Sequence, residues 1–155
     1  MPRPDAGLEV ALEQRQRAFE QTQQVLAYRE RTLAEHAQLL LASQARVQMM
    51  LSQIDAAHQP IAGAALPVGL LSDLERMLRW CEEQLVHQEE RLEAARLEVD
   101  EARELVARAH QQVKALELVL AARKAERGER IRRGELRDAD ETAARVHARK
   151  IAAAR

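Results

Sequence analysis

Three observations predict an all-α fold: a long antiparallel two-helix coiled-coil hairpin, with the second helix longer than the first. Two long stretches carry an apolar residue every seven positions. A short segment rich in proline and glycine separates them. The two apolar stripes also stop where antiparallel partners would stop. Composition agrees. Of 155 residues only 2 % are aromatic, and glycine and proline together number nine. Ala, Glu, Arg, Leu and Gln dominate, as in long helices that bury a line of contact instead of a globular interior.

The first helix is expected over residues 5–57. Pro2 and Pro4 delay its start and Asp5 is a suitable N-cap. Stepping by seven gives Leu12, Phe19, Leu26, Leu33, Leu40, Val47 and Ile54, all apolar. The companion column three residues on is mostly polar: Arg15, Thr22, Arg29, His36 and Ser43, then Met50. Apolar support is expected from Leu8, Ala11, Ala18, Val25, Leu39 and Leu51. This seam is thin and wet, and predicts modest stability.

A loop is expected over 58–71. Pro60, Gly63, Pro67 and Gly69 lie within it, and helices do not propagate through such a cluster. Ser72-Asp73-Leu74-Glu75 then reads as a capping box, with Ser72 as N-cap and Glu75 at the third helical position.

The second helix is expected over 72–150, with weak points at Gly128 and Gly134. Its main column is Leu71, Leu78, Leu85, Leu92, Val99, Val106, Val113 and Leu120. In a chain that is 46 % hydrophobic, eight such landings occur by chance about once in 500 trials of one frame. The companion column is Leu74, Cys81, Gln88, Ala95, Ala102, Ala109 and Leu116, with a single polar member. Seven residues make nearly two turns, so both columns face one partner.

A short link between two such helices predicts an antiparallel hairpin. With Ala57 facing Ser72, opposed residue numbers sum to about 129. Leu8 then falls opposite residue 121, and the second helix's apolar column ends at Leu120, continuing as Arg127, Gly134 and Glu141. The whole chain, 1–155, therefore reads as one hairpin with an unpaired overhang from about residue 121.

That overhang is basic. Residues 121–155 hold 11 Lys/Arg against 6 Asp/Glu, a net of +5; residues 1–120 hold 13 against 19, a net of −6. Three readings of it stay open: a solvated, partly frayed helix, a docking arm for a protein, and a nucleic-acid contact. Interleaved acids and the lack of aromatics speak against the last. One cysteine, Cys81, fits a reducing compartment and reads as a small seam residue. No apolar run approaches the roughly 20 residues of a membrane span, and the start does not resemble a signal peptide. The five histidines are scattered, no Gly-rich phosphate loop is present, and the acids lie on solvated faces. No metal, cofactor or catalytic residue is expected. Met49 and Met50 read as seam filler. Trp80, between Leu78 and Cys81, is either a residue sealing the seam edge or an exposed interface anchor.

The tail carries a resemblance. It includes Ala115-Leu116-Glu117, then Arg123-Lys124-Ala125-Glu126-Arg127, then Arg132-Arg133-Gly134-Glu135-Leu136-Arg137. It closes with Asp138-Ala139-Asp140-Glu141-Thr142-Ala143-Ala144-Arg145. This stretch, on an asymmetric hairpin, resembles the C-terminal signature of the flagellar export protein FliJ family; Gly134 departs from the helix former usual there. The resemblance implies a non-catalytic, cytoplasmic stalk of the flagellar type III export apparatus, peripheral to the inner membrane. Its implied partners are the hexameric export ATPase ring, the cytoplasmic part of the export gate, and export chaperones, with no nucleic acid. It further implies a gate-facing set early in helix two, at Leu74, Leu78, Cys81 and Leu85. In the tail it implies contacts by Arg132, Arg133, Arg137, Asp140, Glu141 and Arg145. The equivalent injectisome stalk and a generic adaptor coiled coil are the alternatives.

Overall fold

A computed structural model describes residues 4–59 and 63–155. Pro2 and Pro60, to which the sequence assigns breaking roles, lie outside the described residues. Among the described residues two helices account for the fold: α1, Ala6–His58, and α2, Val68–Ala153. They pack against each other as an antiparallel hairpin with the second helix the longer. The accessible surface is 12495 Å², against roughly 7,900 Å² for a globular chain of this mass. Each helix therefore has little besides the other to bury itself against.

The helix ends correct the expected loop. α2 begins at Val68, one turn before the predicted Ser72 cap, and Gly69 lies inside its first turn. The Leu71 amide donates to the Pro67 carbonyl at 3.0 Å, which sets Pro67 at the helix entrance. Proline suits that place, because its fixed φ is helical and its missing N–H costs nothing there. The capping-box pattern at Ser72 thus sits within an established helix. His58, expected in the loop, is the last residue of α1. Before α2, Gly63 takes φ +84°, a left-handed conformation that a side chain resists. At the other end α2 runs through Gly128 and Gly134 to Ala153, three residues beyond Lys150.

The chain divides into a core unit, residues 19–108, and a terminal unit, residues 1–18 with 109–155. In the core unit Val47, Met50 and Cys81 form a buried cluster with Leu78 and Leu85 packed on it. Leu74, Leu92, Ala95, Val99 and Ala102 are buried too. Arg29 donates to Glu98 at 2.6 Å and Arg103 to Glu30 at 3.4 Å. Those pairs sum to 127 and 133, which brackets the expected antiparallel register.

The apolar column of α1 lies inward as expected, from half-buried Phe19 and Leu26 to buried Val47. Its support divides: Leu8, Ala11 and Ala18 are half-buried, and the other three are not. Val25, Leu39 and Leu51 are exposed, and the polar companions take the inner positions: Ser43 is buried, while Thr22, Arg29 and His36 are half-buried. The reason is the seven-residue spacing. It places the companions on the seam whatever their polarity, and long side chains reach out to its rim. The cost shows at His36 Nδ1 and Gln88 Oε1, both buried without a hydrogen-bond partner.

Candidate functional site

In the terminal unit Leu8, Ala11, Leu12 and Ala18 of α1 are half-buried, as are Ala109, Leu116 and Leu120 of α2; Val113 is buried. Arg15 donates to Gln112 at 2.8 Å. The last rung is ionic. Asp5, one heptad before Leu12, is only 6 % exposed. Its carboxylate accepts a hydrogen bond from the Arg127 guanidinium, and Arg123 approaches it to 3.7 Å. Arg123 and Arg127 lie one heptad after Leu116 and Leu120, so the apolar columns pass directly into a two-arginine fork. Asp5 also holds the N-cap place, since its carbonyl accepts from the Glu9 amide at 2.9 Å. Sequence reading gave it the cap but missed the fork. The signal was present, because stepping back by seven from Leu12 lands on Asp5.

Beyond the fork, every residue from 128 to 155 is exposed. The tail residues singled out from sequence do not converge on one another as a cluster. Arg133 pairs with Glu129 at 3.2 Å and Arg145 with Glu141 at 3.6 Å, each within its own turn of helix. Thr142 donates to the Asp138 carbonyl at 2.7 Å. Among the described residues Arg130, Arg132, Arg137 and Asp140 form no ion pair. This stretch of helix presents charge in all directions, with Ile131, Leu136, Val146 and Ile151 exposed between the charges.

Early in α2 the four residues of the implied gate-facing set face α1. Leu74 and Cys81 are buried, and Leu78 and Leu85 pack against the Val47–Met50–Cys81 cluster. The outward side of the same turns presents other residues. Leu70, Met77 and Trp80 are each more than half exposed. Trp80 therefore does not seal the seam. Met50 fills the seam and Met49 does not. Where the helices turn, Ala56, Ala57, His58, Leu66, Pro67 and Leu70 line a depression of about 450 Å³. His58 Nδ1 lies 2.8 Å from the Ile54 carbonyl. Among the described residues no group of three His, Cys, Asp or Glu side chains is placed to hold a metal. No helix of the described residues is long and apolar enough to cross a membrane.

The family model described as "Flagellar FliJ protein" matches residues 6–152. The chain belongs to the flagellar FliJ family. No curated protein and no solved structure matches it. FliJ membership makes the chain an export-related, stalk-like component associated with the flagellar export apparatus. The matched range takes in both helices and nearly all of the exposed stretch after the Asp5 fork. The FliJ character thus extends over the packed and the unpacked parts of α2 alike.

Proposed function

We propose that the protein is a cytoplasmic stalk that couples the hexameric export ATPase to the export gate and escorts export chaperones. Membership of the FliJ family across residues 6–152 carries this reading. Two features of the molecule support it. A coupling element needs a part held rigid and a part left free, and α2 supplies both. Over 71–120 its apolar columns face α1, and over 128–153 it is helical but uncovered. The uncovered part carries most of the basic excess, which suits charge-guided docking into an acidic ring mouth. Arg132, Arg133, Arg137, Asp140, Glu141 and Arg145 are the ring contacts of this proposal.

For the gate, the exposed stripe Leu70, Met77 and Trp80 is the better candidate surface. An exposed tryptophan flanked by apolar residues is a typical interface anchor. Leu74, Leu78, Cys81 and Leu85 would meet a partner only after α1 had moved aside. Coupling itself needs no chemistry from this chain. A rod that binds one ATPase state or gate state better than another shifts the population toward it.

The deciding measurement is stimulation of the export ATPase by the full chain and by a chain ending at Leu120. Loss of stimulation on truncation is expected. Equal stimulation by both removes the tail from the mechanism. Trp80→Ala should leave stimulation intact and weaken binding to the gate's cytoplasmic part.

A further inference from the structure

The seam of α2 does not end at Leu120; it changes chemistry. One column continues from Ala109 and Leu116 to Arg123, Arg130 and Arg137, and the other from Val113 and Leu120 to Arg127, Gly134 and Glu141. The face that is apolar where α1 covers it becomes an arginine face where α1 runs out. Only the first two arginines are occupied, and what occupies them is the chain's own carboxylate, Asp5, held at 6 % exposure. Arg130 and Arg137 lie on the same face, exposed and without an ion pair among the described residues.

We infer that this arginine seam is a docking surface for an acidic helix of a partner protein, laid end to end with α1, and that Asp5 is its internal stand-in. The inference rests on the reading of the overhang as a partner-binding arm and names the chemistry it recognises. Asp5 shows what the face accepts: a carboxylate arriving from a helix that runs antiparallel to α2, at a seam position. A partner helix with Glu or Asp at heptad spacing repeats that contact at Arg130 and Arg137. Guanidinium forks bind carboxylates with directional, charge-assisted hydrogen bonds, which lysine does not match. Four of the five charged residues on the two columns between 123 and 141 are arginine, and none is lysine. Asp5, tethered and already in place, competes for Arg123 and Arg127 at high effective concentration. The partner therefore reads Arg130 and Arg137 first and gains the fork only where Asp5 gives way.

The test uses the full chain and a synthetic helical peptide with Glu at every a and d position. Binding is read by fluorescence anisotropy over a range of salt. The wild-type chain should bind it, with affinity falling as salt rises. Arg130→Ala with Arg137→Ala should weaken binding about tenfold. Arg149→Ala with Lys150→Ala, which removes the same charge from positions off the two columns, should change it less than about twofold. Asp5→Asn keeps an N-cap residue and should tighten binding severalfold; circular dichroism checks that the helices persist. Equal losses from the two double variants would reduce the effect to net charge and overturn the proposal. Absence of wild-type binding, or duplex DNA bound as tightly as the peptide, would do the same. An unchanged affinity in Asp5→Asn would remove Asp5 from the site. No ATPase enters the assay, so failed ATPase stimulation and failed peptide binding are separate results.

Discussion

Along the core unit α2 turns Leu74, Cys81, Leu92, Ala95, Val99 and Ala102 inward, whereas α1 buries only Ser43, Val47 and Met50 and half-buries Thr22, Arg29 and His36. The two helices share one line of contact but bring unlike chemistry to it. Small residues on α2 leave room for close approach. The polar column of α1 fills part of that room with groups that must find partners at the rim or stay unsatisfied. The hairpin is therefore held chiefly by α2's face and by the apolar end of α1 near Val47 and Met50. The long middle of α1 adds half-buried Leu26, Leu33 and Leu40 alongside its polar column.

The largest effect expected from this asymmetry is at Leu92, one of the buried residues of α2. Leu92→Ala should destabilise by about 2–4 kcal/mol, since it removes transfer energy and leaves a gap that few neighbours can fill. Leu39→Ala, on the rim of α1 at 47 % exposure, should cost under about 1 kcal/mol. Urea unfolding followed by circular dichroism compares them. Equal losses would mean that the two helices hold the seam alike.

Next in size is the seam's unsatisfied polar pair. Gln88→Leu and His36→Leu each replace a side chain with a buried, unpartnered atom. Each should stabilise by about 1–2 kcal/mol, because a desolvated group without a partner is a net loss. A lower melting temperature in either variant would show that the polar group has a partner in solution.

How much of this was legible beforehand divides along the same line. The α2 columns, the antiparallel register and the end of the apolar stripe at Leu120 all follow from heptad spacing, which is a geometric signal. The inward turn of Ser43, Thr22 and His36 follows from the same spacing, but the expectation set geometry aside for polarity and sent Val25, Leu39 and Leu51 inward instead. The Ser72 cap failed because a capping box is a local pattern, and Pro67 opened the helix a turn earlier. The Asp5 fork was hidden for a different reason. A carboxylate at a helix start is explained so readily as a cap that its seam position went unread.

The terminal unit extends the contrast to a stretch, residues 128–155, that is exposed throughout. Gly134 is exposed within α2, with nothing within 4 Å of a Cβ added there. Gly134→Ala should favour the local helix by about 1 kcal/mol through backbone entropy alone. Because residues 128–155 are uncovered, the gain should appear as slower amide exchange there and leave the global unfolding midpoint unchanged. A raised midpoint would show that this stretch is coupled to the packed part.

The smallest effect tests how α1's polar column is satisfied. Arg29 reaches Glu98 at 2.6 Å, with 39 % and 45 % of the two side chains exposed. A rim pair of this kind trades Coulomb attraction against the entropy of fixing two long side chains, and water screens what is left. A double-mutant cycle with Arg29→Ala and Glu98→Ala should give a coupling of about 0.2–0.6 kcal/mol that fades in high salt. The pair's value lies elsewhere: it lets a seam position carry an arginine without burying an unpaired charge. Arg29→Leu puts that reasoning against its alternative, since it drops the ion pair and adds apolar surface at a half-buried place. If it stabilises the hairpin more than Arg29→Ala does, polarity in α1's column is a cost the fold carries. If the two substitutions are equal, the rim position of Arg29 offers no burial to gain.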